Sequence, residues 1–282
     1  MPDLEERFTV HDGRRLRYLT GGNGSPMLLC HGFIGSAENF QDWLSALLPR
    51  RTLVIPDLPG FGRSNSLDGP HDADTLAGAA LTATRDAGID RYDVAGLCLG
   101  ASVALAVERA QPARVDKLVL HTPLLAPWLT RLRFHAQAGI MLAPGIFSGI
   151  VWLSRRRVVS DLYKRLIIEG GNVDPAAAQV NFDNQVRAHT RAAREWLRDG
   201  LRRQDLAQLL RRRRSSLVIV AAGDSIIDVP RLRRALGGVP HVELAIMHEG
   251  GHAWTASMID HQCRALAAFL DDRPLPDTAA AA

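Results

Sequence analysis

A five-residue motif, Gly-Leu-Cys-Leu-Gly at residues 96–100, constrains this chain more than any other feature. A strand-like run at 92–95 precedes it, and a helix-like run at 101–109 follows it. A sharp turn between a strand and a helix strains the backbone at its central residue and crowds the positions two before and two after. Glycine at both of those positions removes the clash of a Cβ atom. The motif therefore predicts a tight bend that presents the side chain of Cys98.

Length and charge limit the function classes that fit this chain. It has 282 residues, 46% of them hydrophobic, which is enough to bury a large core. The net charge of +4 is too small to indicate a nucleic-acid partner. Arginine runs at 155–157 and 211–214 are typical of solvated faces. The alternative is that they bind an anionic handle on a substrate linked to CoA or to a carrier protein.

The number and spacing of the cysteines indicate whether the protein functions in a reducing or an oxidising compartment. Cys30, Cys98 and Cys263 are too few and too irregularly spaced for a disulfide framework, which favours a reducing compartment. Residues 1–9 are charged and lack an apolar core, so we expect no secretion signal and a cytoplasmic protein. The glycines form no phosphate-binding or dinucleotide-binding pattern, and no His/Cys/Asp cluster has metal spacing. We therefore expect no cofactor and no metal.

An apolar segment at 134–153 contains no Asp, Glu, Lys or Arg and is about as long as a membrane span. His135, Gln137, Pro144 and Gly145 interrupt its apolar character. We predict two short apolar helices that break near Pro144 instead of a span. We expect no membrane contact, and such contact stays open as the alternative.

Strand-like and helix-like patterns alternate along most of the chain. A hairpin turn is predicted at 11–13, and short apolar runs predict buried strands at 27–30, 53–55, 92–95, 117–120, 217–221 and 242–246. Helical periodicity fits residues 39–48, 75–87, 101–110, 230–236 and 257–270. This alternation predicts an α/β fold with a mostly parallel sheet and helices on both of its faces.

The alternation stops between residues 123 and 214. This stretch has helical patterns at 162–169, 175–188 and 191–210 and no convincing strand. We predict a helical cap at 123–214, inserted after the sixth strand. Residues 1–122 and 215–282 then form the core of the fold.

Four separate segments resemble the α/β-hydrolase superfamily, in the branch of esterases, lactonases, epoxide hydrolases and C–C bond hydrolases. Gly-x-Cys-x-Gly at 96–100 is similar to the nucleophile elbow, and His-Gly-Phe-Ile-Gly at 31–35 is similar to the oxyanion loop. Residues 57–64 resemble a structural turn of the family, and Gly251-His252 resembles its histidine loop. The resemblance implies an eight-stranded α/β-hydrolase fold with an inserted cap.

The resemblance implies a nucleophile, an acid and a histidine in that order along the chain. The candidates are Cys98, Asp224 at the end of strand 217–221, and His252 in the loop after the last strand. His248 is a weaker alternative because no glycine precedes it. Asp228 is a weaker alternative because it lies where it could cap the next helix. For Cys98, the alternative is a small cysteine that only packs.

The resemblance also implies an oxyanion hole and a substrate pocket. The backbone N–H groups of Phe33 and Leu99 are expected to face the oxygen of a tetrahedral intermediate, and His31 to brace the loop. The expected pocket for an apolar acyl or ring group is lined by Ile34, Met141, Phe147 and Trp152. The alternative is that the apolar cap segment only packs the cap against the sheet.

The cysteine at the elbow position determines which reaction mechanisms fit this chain. A thiolate that attacks a carbonyl gives an acyl-thioester enzyme, which retains acyl-transfer potential. Dienelactone hydrolases and polyhydroxyalkanoate synthases are locally similar, since they also have cysteine at this position. Ordinary epoxide-hydrolase and dehalogenase mechanisms are excluded, because they use Asp where this chain has Cys98.

Three hypotheses follow from these residues. The first is a hydrolase of a hydrophobic ester, thioester or lactone, with a small-molecule acyl substrate. The second is an acyltransferase or condensing enzyme, in which an alcohol, amine or thiol replaces water. The third is a non-catalytic binding protein that retains the fold.

Overall fold

A mostly parallel eight-stranded sheet organises the chain, which is described here from a computed structural model covering residues 4–163, 175–248, 250–252 and 256–276. The strand order is β1-β2-β4-β3-β5-β6-β7-β8. The strands are β1 (Glu5–His11), β2 (Arg14–Gly22), β3 (Ser25–Cys30), β4 (Arg51–Pro56), β5 (Tyr92–Leu97), β6 (Val115–His121), β7 (Ser216–Ala221) and β8 (Val242–Met247). β2 runs antiparallel to β1 and β4, and the remaining pairs are parallel. The predicted α/β-hydrolase fold is confirmed.

Helices cover both faces of the sheet and fill the segment between β6 and β7. In the described ranges they are α1 (Leu44–Leu47), α2 (Ala73–Asp86), α3 (Gly100–Ala110), α4 (Leu132–Met141), α5 (Ile146–Ser154), α6 (Arg157–Tyr163), α7 (Pro175–Arg187), α8 (Thr190–Gly200), α9 (Leu206–Arg211), α10 (Val229–Leu236) and α11 (Ala256–Leu270). The described part of the chain also has two 3-10 helices, at Ala37–Trp43 and Pro127–Leu129.

Two apolar layers hold the helices against the sheet. Side chains alternate along β3, so that Leu28 joins the layer containing α2 and α3, and Leu29 joins the layer containing α11. Both leucines are fully buried. Burial of one such side chain stabilises the fold by about 1.5–3 kcal/mol relative to exposure. The apolar runs at 27–30, 53–55, 92–95, 117–120 and 217–221 therefore correspond to inner strands of the sheet. The predicted buried strand at 242–246 is instead the edge strand β8, in which Glu243 is exposed and only Ala245 and Met247 are buried.

Two helix predictions were wrong in detail. Residues 39–48 form a 3-10 helix followed by the short α1, because Ser36 and Asn39 form a capping box that starts the tighter helix earlier. The predicted single helix at 191–210 is two helices, α8 and α9. At the start of α9, Leu206 N–H has no partner within the helix and donates to Leu125 O of a distant segment at 2.9 Å. The predicted helix at 162–169 lies almost entirely outside the described residues.

The segment between β6 and β7 packs over the carboxyl edge of the sheet. The Trp196 ring of α8 lies 6.0 Å from the ring of His31 and 5.1 Å from that of Phe61, measured between centroids. A Cβ atom on Gly200 would lie 2.3 Å from Leu99 Cδ2, so α8 approaches the elbow closely. The exact cap boundaries at 123 and 214 remain a prediction.

The apolar stretch at 134–153 forms two helices, as the sequence predicts. α4 and α5 are separated by residues 142–145, with Gly145 in the left-handed region at φ 79°. Their axes differ in direction by 95°. Within the described ranges, no single helix combines the length and apolar character needed to cross a membrane.

Candidate active site

Cys98 lies in the turn between β5 and α3, in the left-handed region at φ 53°. Its N–H donates to His121 O at 2.8 Å. A Cβ atom on Gly96 would lie 2.2 Å from Gly100 O, and one on Gly100 would lie 2.3 Å from Cys30 O. Neighbouring backbone atoms therefore leave no room for a side chain at either position, and both residues have to be glycine. The Cys98 side chain is partly exposed.

Asp224 follows β7 and is fully buried. Its Oδ1 accepts hydrogen bonds from the backbone N–H of Ile226 at 2.7 Å and of Ile227 at 2.8 Å. Its Oδ2 lies 3.0 Å from His252 Nδ1. Burial acts to raise the pKa of Asp224, but His252 and the two N–H donors hold this pKa below its usual value. The carboxylate is therefore charged and fixes the orientation of the imidazole.

The His252 ring interacts with both Asp224 and Cys98. The side chain is 12% exposed, and burial acts to lower its pKa. The negative charges of Asp224 and Cys98, together with hydrogen bonds to both, outweigh burial and raise the pKa of His252 well above its usual value. A protonated imidazole beside the sulfur favours the thiolate, which is the nucleophilic form of cysteine.

His31 holds the loop that follows β3. Its ring is fully buried, Nε2 accepts from the Leu58 N–H at 2.9 Å, and Nδ1 lies 2.9 Å from Gly32 O. These partners assign the tautomer that carries its proton on Nδ1. Burial lowers the pKa of His31, so the ring is neutral. This neutral ring connects the loop to the start of the 57–64 turn.

The loop after β3 lies against the elbow. A Cβ atom on Gly32 would be 3.3 Å from Cys98 Cβ. Within the described chain, the backbone N–H groups of Phe33 and Leu99 donate to no other residue. Most backbone donors in folded proteins have a partner, so two unpaired N–H groups beside a nucleophile provide donors for a developing oxyanion.

Backbone strain is concentrated around the elbow. Ile34, Cys98 and Thr122 have positive φ angles of 51°, 53° and 44°. Positive φ is unusual for β-branched residues such as Ile34 and Thr122, and each such residue costs about 1–3 kcal/mol. Strain of this kind persists where the surrounding structure fixes it and is common at functional sites.

Two residues near the site were missed by the sequence analysis. The His121 ring is 2% exposed, and burial and the nearby His252 charge lower its pKa to about 3, so it stays neutral. Arg131 Nε donates to the backbone O of Asp224 at 2.8 Å. The position of His121 at the end of the strand beside the elbow strand was the available signal. No sequence signal pointed to Arg131.

The weaker alternatives lie outside this arrangement. Asp228 accepts a hydrogen bond from the Arg231 N–H at 3.1 Å and caps α10. His248 is exposed at the end of β8. The structure thus brings Asp224 and His252 together with Cys98, and it assigns Asp228 the capping position considered from the sequence.

The residues expected to line the pocket have different surroundings. Ile34 and Met141 are partly buried and pack against the same apolar cluster as Cys98. Phe147 is 1% exposed within that cluster. Trp152 is 58% exposed on the outer side of α5, and this position gives its pocket role no support. The pocket assignment remains a prediction.

A cavity of about 400 Å³ lies between α4 and α8. It contains none of the four residues expected to line the pocket and neither Cys98 nor His252. Its lining combines apolar side chains with two arginines and a histidine: His135, Gly139, Leu142, Ala143, Arg198, Leu201 and Arg202.

The other reactive side chains have environments that differ from that of Cys98. Burial raises the pKa of the Cys30 thiol to about 12 and that of Cys263 to about 11. Cys263 Sγ also donates to Asp42 O at 3.3 Å. Over the ranges that the structure describes, no three His, Cys, Asp or Glu side chains are grouped so that they could hold a metal ion.

Curated relatives align with much of the chain. A dihydrolipoyllysine-residue acetyltransferase component of the acetoin cleaving system from Pseudomonas putida is 27% identical over 271 residues, covering 92% of this chain and 67% of the relative. Haloalkane dehalogenase 2 from Mycobacterium tuberculosis is 33% identical over 192 residues, covering 67% of this chain and 62% of the relative. The matches thus span only about two thirds of these relatives' own length.

Solved structures and the family comparison agree on the fold. An esterase from Exiguobacterium antarcticum superposes with a TM-score of 0.80 at 15% identity, covering 95% of this chain and 100% of the esterase. The epoxide hydrolase CorEH gives a TM-score of 0.70 at 20% identity, covering 89% of this chain and 92% of that enzyme. The alpha/beta hydrolase family matches residues 27–269. The chain belongs to the alpha/beta hydrolase family.

Proposed function

We propose that this chain hydrolyses hydrophobic esters, thioesters or lactones through a Cys98–His252–Asp224 triad and an acyl-thioester intermediate. One observation carries the proposal. The His252 ring bonds to buried Asp224 through Nδ1 and also interacts with Cys98, whose sulfur is presented by a strained turn. This arrangement supports Cys98 as the nucleophile, His252 as the acid and base, and Asp224 as the group that orients the imidazole.

In the first half-reaction the Cys98 thiolate attacks the substrate carbonyl carbon. The carbonyl oxygen becomes an oxyanion and accepts hydrogen bonds from the N–H groups of Phe33 and Leu99. As the intermediate collapses, the bond from carbon to the leaving oxygen or sulfur breaks. The protonated His252 gives its proton to that leaving group. The product of this step is an alcohol or thiol and an acyl-Cys98 thioester.

Water completes the cycle. His252, now neutral, takes a proton from water as the water oxygen attacks the thioester carbonyl. Collapse of the second intermediate breaks the bond between carbon and Cys98 Sγ, and the acid leaves. The Cys98 thiolate and the protonated His252 are restored. Asp224 stabilises the imidazolium in both steps and does not itself take the proton.

The substrate class follows from the surroundings of the sulfur. Ile34 belongs to the loop that lies against the elbow and packs against the apolar core, which supports a hydrophobic acyl or ring group. The cysteine also distinguishes this chemistry from that of relatives named dehalogenase or epoxide hydrolase, because an ordinary mechanism of those types uses an aspartate nucleophile.

Acyl transfer is the second candidate function. The relative that covers 92% of this chain is named an acetyltransferase component. A thioester retains more acyl-transfer potential than an oxygen ester, so an alcohol, amine or thiol acceptor could replace water in the second half-reaction. The exposed arginine run at 155–157 would suit a CoA-linked or carrier-linked acyl donor. The run at 211–214 is not a solvated face throughout, because Arg212 is 6% exposed and donates to the backbone O of Asp116 at 2.7 Å.

The test is turnover of p-nitrophenyl esters and acyl thioesters of varied chain length. We expect Cys98→Ala to abolish turnover. Cys263→Ala is the matched control, since Cys263 is also partly exposed, and it should leave turnover near normal. Equal activity of the Cys98→Ala and wild-type proteins would exclude the covalent mechanism. Absence of turnover in the wild type on every substrate would favour a binding protein.

A second measurement separates hydrolysis from transfer. Products are analysed with and without an added amine, alcohol or thiol acceptor. Hydrolysis predicts free acid as the main product in both cases. A main product acylated on the acceptor, at acceptor concentrations far below that of water, would replace hydrolysis by transfer as the function.

A further inference from the structure

Helix α5 presents apolar residues to solvent as well as to the core. Its inner face buries Phe147 and Val151, which are 1% and 3% exposed. On its outer face, Ile146, Trp152 and Leu153 are 42%, 58% and 43% exposed. The helix has no charged residue. A helix that is apolar all round is normally covered on every side, whereas this one is covered on one side.

The exposed apolar surface extends over the neighbouring helices. Leu132 and Ile140 of α4 are 83% and 64% exposed, and Val158 of α6 is 80% exposed. We call Leu132, Ile140, Ile146, Trp152, Leu153 and Val158 the cap apolar surface. Single exposed apolar residues are common, but these six lie on successive helices that contact one another, α4 with α5 and α5 with α6, which indicates an interaction site.

The charged side chains of residues 117–160 are all positive. Residues 117–160 contain no Asp or Glu, and their arginines lie at 131, 133, 155, 156 and 157. Asp161 pairs with Arg157, and Arg131 is held by Asp224 O. Among the described residues, Arg133 and Arg156 have no acidic partner, and the Arg156 guanidinium lies 4.6 Å above the Trp152 ring. The cap apolar surface is therefore bordered by uncompensated positive charge.

We propose that the cap apolar surface docks the protein on a membrane that contains anionic phospholipids. Apolar side chains would enter the boundary between headgroups and acyl chains, while the arginines contact lipid phosphates. A second copy of the chain is a less suitable partner for this surface. A symmetric contact would place the positively charged arginines of the two copies opposite each other. The bend of 95° between α4 and α5 fits a position on the membrane, not across it. The proposal does not depend on the proposed catalytic function.

Sedimentation with vesicles tests the apolar contribution. Vesicles of phosphatidylcholine mixed with phosphatidylglycerol are compared with vesicles of phosphatidylcholine alone. We expect the wild type to bind the mixed vesicles, and Ile140→Ser to weaken binding about tenfold. Val10→Ser is the matched control, because Val10 on β1 is also 64% exposed, and it should bind like the wild type.

The charge contribution is tested in the same assay. Arg156→Gln should weaken binding to the mixed vesicles about fivefold, since each basic residue near an anionic surface contributes about that factor. Arg85→Gln, an exposed change on α2, should have no effect. Added salt should weaken binding of the wild type.

Three results would overturn the proposal. The first is that the wild type binds neither kind of vesicle. The second is that Ile140→Ser and Arg156→Gln bind the mixed vesicles as well as their controls do. The third is that the wild type binds no vesicle and forms a dimer that Ile140→Ser dissociates. Turnover of a water-soluble ester by Ile140→Ser should equal that of the wild type. Loss of vesicle binding with retained turnover therefore tests this surface separately from the Cys98 mechanism.

Discussion

The His252 Nδ1 atom lies 3.0 Å from Asp224 Oδ2, although the two residues belong to different loops, one after β8 and one after β7. The carboxylate is buried and held by two backbone N–H groups, so it cannot move away from the ring. This contact fixes the orientation of the His252 ring and directs the other ring nitrogen away from Asp224. The raised pKa of His252 depends in part on the same contact.

The first prediction concerns the dependence of stability on pH. Folding raises the pKa of His252, so its contribution is fully present below the unfolded-state value of about 6.5 and is lost as the pH rises through the raised folded value. We expect the difference in free energy of unfolding between wild type and His252→Gln to decrease from pH ~6.5 upward. Urea unfolding at a series of pH values measures it. A difference that stays constant or grows with pH would contradict the prediction.

The contribution of Asp224 to the free energy of unfolding changes with pH in the opposite direction. The pKa of Asp224 is lowered by folding, so its contribution is present above the unfolded value of about 4 and is lost as the pH falls through the folded value. The pair therefore stabilises the fold most in weakly acid solution, between these limits. The difference in free energy of unfolding between wild type and His252→Gln should therefore be largest at about pH 5, and values at other pH are compared with that one.

The second prediction is selective alkylation of Cys98 by iodoacetamide. The imidazolium of His252 favours the Cys98 thiolate, whereas burial raises the pKa values of Cys30 and Cys263 to about 12 and 11. Peptide mass spectrometry after short exposure at neutral pH should find the label on Cys98 alone. Asp224→Asn should slow this labelling about tenfold, because a neutral amide no longer stabilises the imidazolium. Equal labelling of the three cysteines would count against thiolate activation.

The third prediction concerns the elbow glycines. Gly100→Ala would place a Cβ atom 2.3 Å from backbone oxygen, so α3 or β3 must shift. We expect about 1–3 kcal/mol loss in the free energy of unfolding, together with loss of turnover. Gly139→Ala is the control, because nothing lies within 4 Å of a Cβ there, and it should stabilise α4 by about 0.5–1 kcal/mol. Similar stability changes for the two variants would refute the steric account of the elbow.

The fourth prediction tests the turn at 57–64. Asp57 is fully buried and accepts hydrogen bonds at 2.8 Å from Arg17 Nη1 and from the backbone N–H of Ala37 and of Arg63. In Asp57→Ala, Glu6 and Glu38 still pair with Arg17, but the N–H groups of Ala37 and Arg63 lose their acceptor. We expect about 1–3 kcal/mol of destabilisation for each unpaired donor, measured by denaturant unfolding. Asp260→Ala, which breaks an exposed ion pair, should cost below about 1 kcal/mol. A small effect of Asp57→Ala would show that the turn is not a structural anchor.

Local chemistry explains what the sequence could predict. Apolar runs bounded by turns give the strands, because a strand covered on both faces is apolar throughout. The glycines around Cys98 identify that position, since backbone contact at a tight turn leaves no room for a Cβ atom. Before His252, Gly250 has a φ of 85°, a conformation that glycine adopts without strain. The capping geometry likewise separates Asp228 from Asp224. These features depend on few neighbouring residues.

Features that depend on distant contacts could not be predicted. Residues 191–210 have continuous helical periodicity, yet α8 ends at Gly200, and the start of α9 is hydrogen-bonded to Leu125, a residue distant in sequence. The contact of Arg131 with Asp224 O joins segments whose sequence separation is 93 residues. Trp152 is apolar, which favours a buried position, yet only tertiary packing decides which face of α5 is covered.

The most direct measurement is the mass of the enzyme during turnover. Wild-type protein is mixed with an acyl thioester or aryl ester, quenched in acid within the first turnovers, and digested for peptide mass spectrometry. The account predicts one acyl group in thioester linkage to Cys98, absent in Cys98→Ala. Steady turnover by the wild type with no acyl group on Cys98 at any time, or with the acyl group on another residue, would contradict it.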